Sequence, residues 1–383
     1  MKLKDIISKF VFVFFLLVLI SDFYYKYYTL DSKGGLRLTL YVKIAIGVTF
    51  FIFIARNKFY KKINAILFFG LLAISLLSFL QLCHNNTILI VESYGRYYFG
   101  IIVLFFFINE KVSIDQVFFK RFLSCIIIIN FIFIIFGYLN NLQIFRTYYG
   151  SRFGFNGIFK STSVASYFYI FSICYYTLKK KSTFDIFVLV LTVVSAIFVG
   201  SKSIYGFIIY ALVVKVLLLV YKKQSFISGK TFFIGSSILI ISSILLFLKQ
   251  IMNLHSTLRE VMENDGVLSA VFSYRDVHFR NTLIDVNNNF ELGNFIYGGL
   301  SCVRRYTEIS IVDLFITFGL VGLIIYILLL YLNIPKIKDR YTIFLLLGIL
   351  GIIFLRGNFF YFPSVIFMSI LIFANILNVK KHE

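Results

Sequence analysis

Long apolar runs separated by short polar connections make up most of this chain. Crossing about 30 Å of hydrocarbon at 1.5 Å per residue takes about 20 helical residues, and this length divides the runs into segments. The pattern predicts twelve transmembrane helices near 10–28, 37–55, 63–82, 96–110, 117–138, 161–178, 183–200, 203–221, 231–250, 308–333, 341–355 and 359–379. We therefore predict an all-α, polytopic membrane protein in which residues 1–383 form a single transmembrane domain.

The connections between these segments alternate in charge. Those on the side of the N-terminus are short and basic, with Lys and Arg clusters at 2–9, 56–62, 111–121, 179–181, 222–230, 336–340 and 380–381. Cytoplasmic links of membrane proteins carry an excess of Lys and Arg, so we predict that this side is cytoplasmic and that both termini lie inside. The first helix is expected to be retained, because bulky residues follow it where signal cleavage needs small ones.

Composition supports this topology and changes how the net positive charge of the chain is interpreted. Hydrophobic residues make up 60% of the chain and charged residues 14%, with a mean hydropathy of +0.90, so lipid is the expected solvent. A formal net charge of +21 would suggest nucleic acid in a soluble protein, but here the basic residues sit between apolar runs. We expect membrane lipid as a partner and no nucleic acid.

The opposite, external side has two longer connections, 139–160 and 251–307. The second mixes acids and bases with apolar residues at helical spacing, such as Leu254, Leu258 and Val261. This pattern predicts short amphipathic helices at the membrane surface, in a large loop between helices nine and ten. Because so long a stretch is more than a simple connector, we expect the function on this face.

Cations at the external ends of the segments suggest anion binding. They are Arg146, Arg152, Lys202, Arg275, Arg280, Arg304, Arg305 and Arg356. Positive side chains at helix starts, near Gly and Ser that leave backbone N–H groups accessible, suit a lipid-linked phosphate or pyrophosphate. The alternative is that such side chains only extend toward lipid head groups. That alternative fits Lys202 least well, because Lys202 lies in a short external turn behind Gly200 and Ser201.

Two acids at the start of the tenth segment are candidates for a general base. Glu308 lies in its first turn, near the bilayer surface, where a carboxylate can accept a proton from a substrate hydroxyl. Asp313 lies deeper in the membrane. The alternative for Glu308 is a structural salt bridge with Arg304 or Arg305, or an interaction with the positive end of the helix dipole.

The stretch 273–285 in the long loop offers a second candidate cluster. If it is helical, Arg275, His278, Thr282 and Asp285 lie on one face, because they are spaced three, four and three residues apart. His278 is then a minor candidate for acid or base work, although a lone histidine of this kind is usually solvated.

The sequence predicts no metal site and no cofactor. The four cysteines have no CxxC spacing, and Cys125 and Cys174 fall inside apolar runs. Cys83 and Cys302 could meet on the oxidising side, but thiols so placed are more often unpaired, so no disulfide is expected. The motifs of nucleotide, zinc and serine hydrolases are also absent. With Pro335 and Pro363 the only prolines, few breaks within the helices are expected.

The order of the sequence motifs along this chain resembles that in the O-antigen and capsule polymerase and ligase family. Members of this family are integral membrane glycosyltransferases that act on undecaprenyl-pyrophosphate-linked sugars. The resemblance lies in GSRFGFNG before segment six, VGSKSIYG at segment eight, SYRDVHFRNTLIDVNNNFELGNFIYGGL in the long loop, EISIVDLFITFGLVGLIIY in segment ten and RGNFFYFPSVIF before the last helix. Residues 1–135 match in hydropathy alone. The resemblance implies a glycosyltransferase C-like fold in the bacterial cytoplasmic (inner) membrane, with the active face external.

The resemblance also implies roles for single residues. In the family an arginine usually follows Gly-Ser where Lys202 stands, and a second arginine precedes a Gly-x-Gly-like stretch, as Arg275 precedes Gly298 and Gly299. Both arginines are thought to hold the pyrophosphate. The lysine at position 202 keeps the positive charge but loses the forked geometry of arginine.

Two further positions bear on the choice between polymerase and ligase, and the absence of the ligase histidine favours a polymerase. Some polymerases have an arginine, ten residues and then a glycine in an earlier loop, and Arg146 with Gly157 fits this spacing once. Ligases have a histidine eleven residues before the first glycine of segment ten, whereas this chain has Glu308 at that distance from Gly319.

The function implied is an inverting, metal-independent transfer of a glycan from undecaprenyl pyrophosphate to a sugar hydroxyl of another lipid-linked repeat unit. We expect Arg152, Lys202, Arg275 and Arg305 to stabilise the departing pyrophosphate and Glu308 to act as base. A chain-length-regulating co-polymerase is a candidate partner. The alternatives are a ligase with another acceptor, a non-enzymatic flippase or transporter of lipid-linked sugar, and an inactive assembly subunit. Charge within the membrane, which a flippase needs, is expected almost only at Lys215.

Overall fold

The computed structural model is helical throughout the part of the chain that it describes. That part comprises residues 3–30, 38–57, 62–80, 87–109, 115–148, 153–179, 182–223, 259–260, 262–264, 266, 269–270, 274–303, 306–333, 339–357 and 359–379. Within these ranges the one β-type pairing is an isolated bridge between Arg146 and Phe155. The prediction of an all-α chain is therefore confirmed for the described residues.

The helices follow the predicted segments closely. They are α1 (Leu3–Leu30), α2 (Leu38–Asn57), α3 (Lys62–Leu80), α4 (Thr87–Asn109), α5 (Gln116–Leu139), α6 (Thr162–Leu178), α7 (Thr183–Phe198), α8 (Lys202–Lys223), α9 (Arg275–Asn289), α10 (Leu292–Tyr297), α11 (Ser310–Asn333), α12 (Arg340–Arg356) and α13 (Pro363–Val379). The fourth segment begins at Thr87 rather than near residue 96, and the ninth segment, 231–250, lies outside the described residues. The long loop contains the two additional helices α9 and α10.

Among the described residues, five helical stretches are long and apolar enough to cross a membrane. They are Lys9–Tyr28, Leu38–Arg56, Ile90–Phe107, Gln116–Leu139 and Ser310–Leu332. Parts of α3, α7, α12 and α13 are apolar but shorter. Large aliphatic side chains such as Ile52, Ile66 and Ile132 remain exposed on the outside of the bundle, as expected where lipid covers the surface.

Polar side chains begin several of the helices at the points where the apolar runs start. Asp115 accepts a hydrogen bond from the backbone N–H of Val117, and Ser161 accepts one from Val164. Ser182 begins α7 with a reciprocal capping box. These caps satisfy backbone donors that would otherwise lie unpaired next to lipid, at a cost of several kcal/mol each.

Helix α6 lies at the centre of the bundle. Every residue from Val164 to Tyr176 is buried, and α6 packs against α7, α8 and α13. Its tyrosine hydroxyls find partners on α5: Asn130 donates to the Tyr169 oxygen at 2.5 Å, and the hydroxyls of Ser124 and Tyr176 lie 2.7 Å apart. A helix buried all round with paired polar groups is typical of a bundle core.

Contacts between helix ends show that successive helices run in alternating directions. At one end, the last residue of α12, Arg356, bonds Ser203 in the first turn of α8. At the other end, Lys120 near the start of α5 pairs with Asp185 in the first turn of α7. We call the first the loop end, because it carries the connections 140–161, 199–201 and 290–309.

Helix α11 is broken at Gly319, a position that the prolines did not indicate. Gly319 has a φ of 66°, and the residues after α10 pack into the gap. Gly299 N–H donates to Ile316 O at 2.9 Å, and the Tyr94 hydroxyl donates to Thr317 O at 2.9 Å. Glycine, which the search for prolines overlooked, allows this break because it has no Cβ, and the freed carbonyl groups are satisfied within the protein.

The expectation that the external thiols are unpaired is wrong for Cys302. Cys302 is disulfide-bonded, whereas Cys125 and Cys174 are free. Cys83, the remaining cysteine of the sequence, lies outside the described residues. Cys302 is fully buried in a 3₁₀ turn, Leu300–Cys302, next to the segment that fills the break in α11. The sequence pattern did not show that this turn is fixed against the bundle.

Gly319→Ala tests whether the break in α11 is a fixed element of the fold. A Cβ at this position would lie 2.3 Å from the Ile296 carbonyl oxygen in a left-handed backbone, so we expect a loss of about 2 kcal/mol or more in the free energy of unfolding. Gly351→Ala is the matched control, because a Cβ there meets nothing within 4 Å. Unfolding in a detergent titration measures both. Equal stability of the two variants would show that the break is not required.

Candidate functional site

Helix α9 turns the predicted polar face toward the bundle. Thr282 is buried, and Arg275, His278 and Asp285 are half-buried, whereas Arg280 is exposed on the other side of the helix. The one-face arrangement predicted for 273–285 therefore exists in the structure. Arg280, which the sequence suggested as an anion-binding residue, is not brought to the same place as Arg275.

Arg275 forms an ion pair with Glu308. Its Nε and Nη2 atoms both lie 3.4 Å from Glu308 Oε2. The Arg275 side chain is 19% exposed, but that of Glu308 is 45% exposed, so a substrate hydroxyl has access to the carboxylate. The sequence suggested Arg304 or Arg305 as partners of Glu308. Both lie outside the described residues, and the partner that the structure provides is Arg275.

The backbone of Glu308 is held in an unusual conformation. Its φ is 59°, a left-handed value that costs about 1–2 kcal/mol for a residue with a Cβ. Gly357 packs directly against the Glu308 carbonyl, and Thr307 donates from both its N–H and its hydroxyl to Asp313, at 2.8 Å each. Strain maintained by neighbouring contacts is frequent at functional sites.

Asp313 lies in the first turn of α11. It is buried, and its Oδ1 atom accepts the two hydrogen bonds from Thr307. These bonds fix the turn that carries Glu308.

Arg356 adds a second arginine to this site. It is 7% exposed, donates to the Ser203 hydroxyl at 2.6 Å and to Thr162 O at 3.3 Å, and lies 5.5 Å from the Tyr167 ring centroid. Arg356 also lies close enough to Arg275 and Glu308 to interact with both electrostatically. The sequence identified Arg356 as an external cation, but its place beside Glu308 depends on the packing of α12.

Lys202 reaches the start of α9 from the first residue of α8. Its ammonium group donates to Ala270 O, next to Ser269, whose hydroxyl donates to Asp276 in the first turn of α9. The turn before Lys202 is packed closely, because a Cβ at Gly200 would lie 2.5 Å from Phe153 O. We refer to Arg275, Arg356, Lys202 and Glu308 as the arginine cluster.

In the described part of the 140–161 connection, Arg146 contacts its own loop. Arg146 pairs with Phe155 across the loop and donates to the Asn141 side chain, so it stabilises its own loop. Arg152 lies outside the described residues. Gly157, which follows Arg146 after ten intervening residues in the suggested motif, has a φ of 59° and packs against Asn130.

A second charged cluster, which the sequence did not predict, lies between α1, α2 and the 153–161 segment. Asp22 is 2% exposed and accepts hydrogen bonds from Thr39 at 2.6 Å, from Lys43 at 2.7 Å and from Ser364. Lys26 donates to the Asn156 side chain at 2.6 Å and to Gly157 O at 2.9 Å.

Lys160 completes this cluster from the loop side. Its ammonium nitrogen lies 3.9 Å from the centroid of the Tyr25 ring. Burial lowers the pKa of Lys160 to about 8, with Asp22 opposing that shift and Lys43 adding to it. We refer to Lys26, Lys43, Lys160 and Asp22 as the lysine cluster.

The lysine cluster includes ionisable residues that lie inside candidate membrane spans. Asp22, Lys26 and Lys43 all lie inside the candidate spans of α1 and α2, toward the loop end. Asp22 and Lys26 lie in the stretch SDFYYKYY, which we considered in the sequence only as a signal-cleavage position. An ionisable residue inside an apolar segment is by itself a reason to suspect function.

Aromatic side chains connect the two clusters. The rings of Tyr306 and Tyr361 have centroids 5.0 Å apart, and Arg96 lies 4.4 Å above the Tyr361 ring while pairing with Glu92 at 2.5 Å. Tyr306 is two residues before Glu308, and Arg96 is close enough to Lys160 to interact electrostatically. Both clusters thus belong to one polar region at the loop end.

Within the described part of the chain, no group of three or more His, Cys, Asp or Glu side chains is placed to hold a metal ion. Comparison of the chain with protein family models, with curated proteins and with solved structures gives no match.

Proposed function

We propose that this chain is a membrane glycosyltransferase of the polymerase type, which transfers a glycan from undecaprenyl pyrophosphate to a sugar hydroxyl of another lipid-linked repeat unit. The observation that carries the proposal is the arginine cluster, in which Arg275 pairs with the accessible carboxylate of Glu308, Arg356 is close enough to interact with both, and Lys202 donates to Ala270 O near the start of α9. The motifs that resemble the O-antigen and capsule polymerases supply these residues, from four separate parts of the sequence.

The proposal includes a topology of twelve spans, with both termini in the cytoplasm of a bacterium and the loop end outside. The short basic links at the other end of the helices support this orientation through the positive-inside rule. The disulfide at Cys302 supports it as well, since disulfides persist on the oxidising side of a membrane.

The residues of the arginine cluster have separate roles in the proposed reaction. Glu308 accepts the proton of the attacking hydroxyl, whose oxygen forms a bond to the anomeric carbon. The bond from that carbon to the pyrophosphate oxygen breaks, and the charge that develops on the leaving group is stabilised by Arg275, Arg356 and Lys202. Attack from the side opposite the leaving group inverts the anomeric centre.

The ion pair between Arg275 and Glu308 has a clear role before substrate binds. It compensates two charges that would otherwise lie close to lipid, yet its 3.4 Å contacts are longer than those of a strong charge-assisted hydrogen bond. A pyrophosphate can therefore replace Glu308 as the ion-pair partner of Arg275 at a low cost in free energy. Its arrival frees the carboxylate to accept a proton.

A flippase or transporter of lipid-linked sugar is the second candidate function. The observation that favours it is the lysine cluster, because buried charges inside α1 and α2 are what a path for a polar head group requires. A flippase moves its lipid intact, whereas a polymerase or ligase releases undecaprenyl pyrophosphate.

Arg275→Ala tests the pyrophosphate contact. We expect loss of polymer, with partial activity in Arg275→Lys, because the site needs positive charge first and forked geometry second. Arg280→Ala is the matched control, since it removes an arginine from the exposed face of the same helix. The assay is the length distribution of glycan made in cells at equal protein abundance. Long glycan from Arg275→Ala would refute the contact.

Glu308→Gln tests the proposed base. Glutamine keeps the size of the side chain but cannot accept a proton, so we expect a rate loss on the order of a hundredfold or more at unchanged protein abundance. Glu263→Gln, an exposed acid in the same long loop that pairs with Arg259, is the control and should retain the wild-type rate.

The two roles of Glu308 can be separated in this assay. A residue needed only for its ion pair with Arg275 would lose protein abundance rather than rate. A near wild-type rate with purified Glu308→Gln would eliminate Glu308 as the base and leave His278 as the remaining candidate on this face.

A further inference from the structure

The lysine cluster has more hydrogen-bond donors than acceptors. An ammonium group has three N–H donors. Among the described residues, Asp22 is the one acceptor for Lys43, and none accepts from Lys160, whose contact is with the face of Tyr25. Partly buried donors without protein acceptors are rare unless a ligand or water satisfies them.

The charge of the lysine cluster is also unbalanced. Lys43 and Lys160 contribute two cations against the one carboxylate of Asp22, and the neighbouring pair of Arg96 and Glu92 does not change that excess. Excess positive charge at the edge of a membrane span is costly unless an anion approaches it. A pyrophosphate diester is such an anion.

The lysine cluster lies next to the arginine cluster. Lys160 is two residues before Thr162, whose carbonyl accepts from Arg356, so the Cα atoms of Lys160 and Thr162 are at most about 7.6 Å apart. The aromatic pair Tyr306 and Tyr361 lies beside both clusters. Two positively charged sites therefore share one end of the bundle.

We propose that the lysine cluster binds the pyrophosphate of the acceptor lipid, while the arginine cluster binds that of the donor. This inference rests on the proposed function, since a polymerase must hold two lipid-linked substrates at once. It explains why charges are retained in α1 and α2, the part of the chain that resembles the polymerase family only in hydropathy. The ligand chemistry is a lipid phosphate, which a bulk phospholipid head group would share.

Binding at this site should weaken as the medium becomes alkaline. The groups that surround Lys160 are Asp22 and Tyr25 on α1, Lys43 on α2, and Glu92 and Arg96 on α4. Because the pKa of Lys160 is about 8, its positive charge is present below that pH and is lost as the pH rises through it.

The test is the binding stoichiometry of undecaprenyl pyrophosphate to the purified full-length chain in phosphatidylcholine nanodiscs. We expect two equivalents for the wild type, and for Lys160→Gln a loss or a roughly tenfold or greater weakening of one of them. Lys160→Arg should keep both. Lys215→Gln, an exposed lysine on α8, is the matched control. Arg275→Ala should remove the other equivalent, and the melting temperature of each variant checks its folding.

The outcomes separate this inference from the proposed function. A single equivalent that Lys160→Gln leaves unchanged overturns the second site. Displacement from the site that depends on Lys160 by phosphatidylglycerol in the nanodisc overturns the acceptor assignment and identifies a head-group site. Two equivalents, one of them dependent on Lys160, support the inference even if the wild-type protein transfers no glycan, in which case the proposed function alone fails.

Discussion

The high cost of an unpaired charge or hydrogen-bonding group in hydrocarbon controls the arrangement of this protein. Each helix satisfies its own backbone, and the break in α11 is tolerated because Gly299 and Tyr94 bond the carbonyl groups that it frees. Because of the same cost, charged side chains at the loop end lie in ion pairs: Asp22 pairs with Lys43, and Glu308 pairs with Arg275.

Much of the fold could be predicted from the sequence because lipid makes the helical signal strong. Runs of about 20 apolar residues identify helices without any knowledge of their neighbours. The prediction placed the start of α4 too late because Glu92 and Arg96 look like a polar connection, whereas in the structure they pair with each other inside the helix. The break at Gly319 was missed for a similar reason, since it depends on a loop that packs from outside the segment.

The candidate site was predictable only in part. The resemblance pointed to Arg275, Lys202 and Glu308, and the structure brings these three to one region, but it gives Glu308 a different ion-pair partner and turns Arg280 away. The lysine cluster could not be found from spacing, because Asp22, Lys43 and Lys160 come together only when α1, α2 and the 153–161 segment pack. A stricter rule, that every ionisable residue inside an apolar run needs an explanation, would have identified Asp22 and Lys26.

The central claim is that the loop end transfers a glycan between two lipid pyrophosphates, and the stoichiometry of product release tests it most directly. The purified chain in nanodiscs would be supplied with undecaprenyl-pyrophosphate-linked repeat units, and both free undecaprenyl pyrophosphate and glycan length would be measured over time. The account predicts one undecaprenyl pyrophosphate released for each glycosidic bond formed, with the glycan growing in steps of one repeat unit. Repeat units that cross the membrane intact, with no undecaprenyl pyrophosphate released, would contradict it.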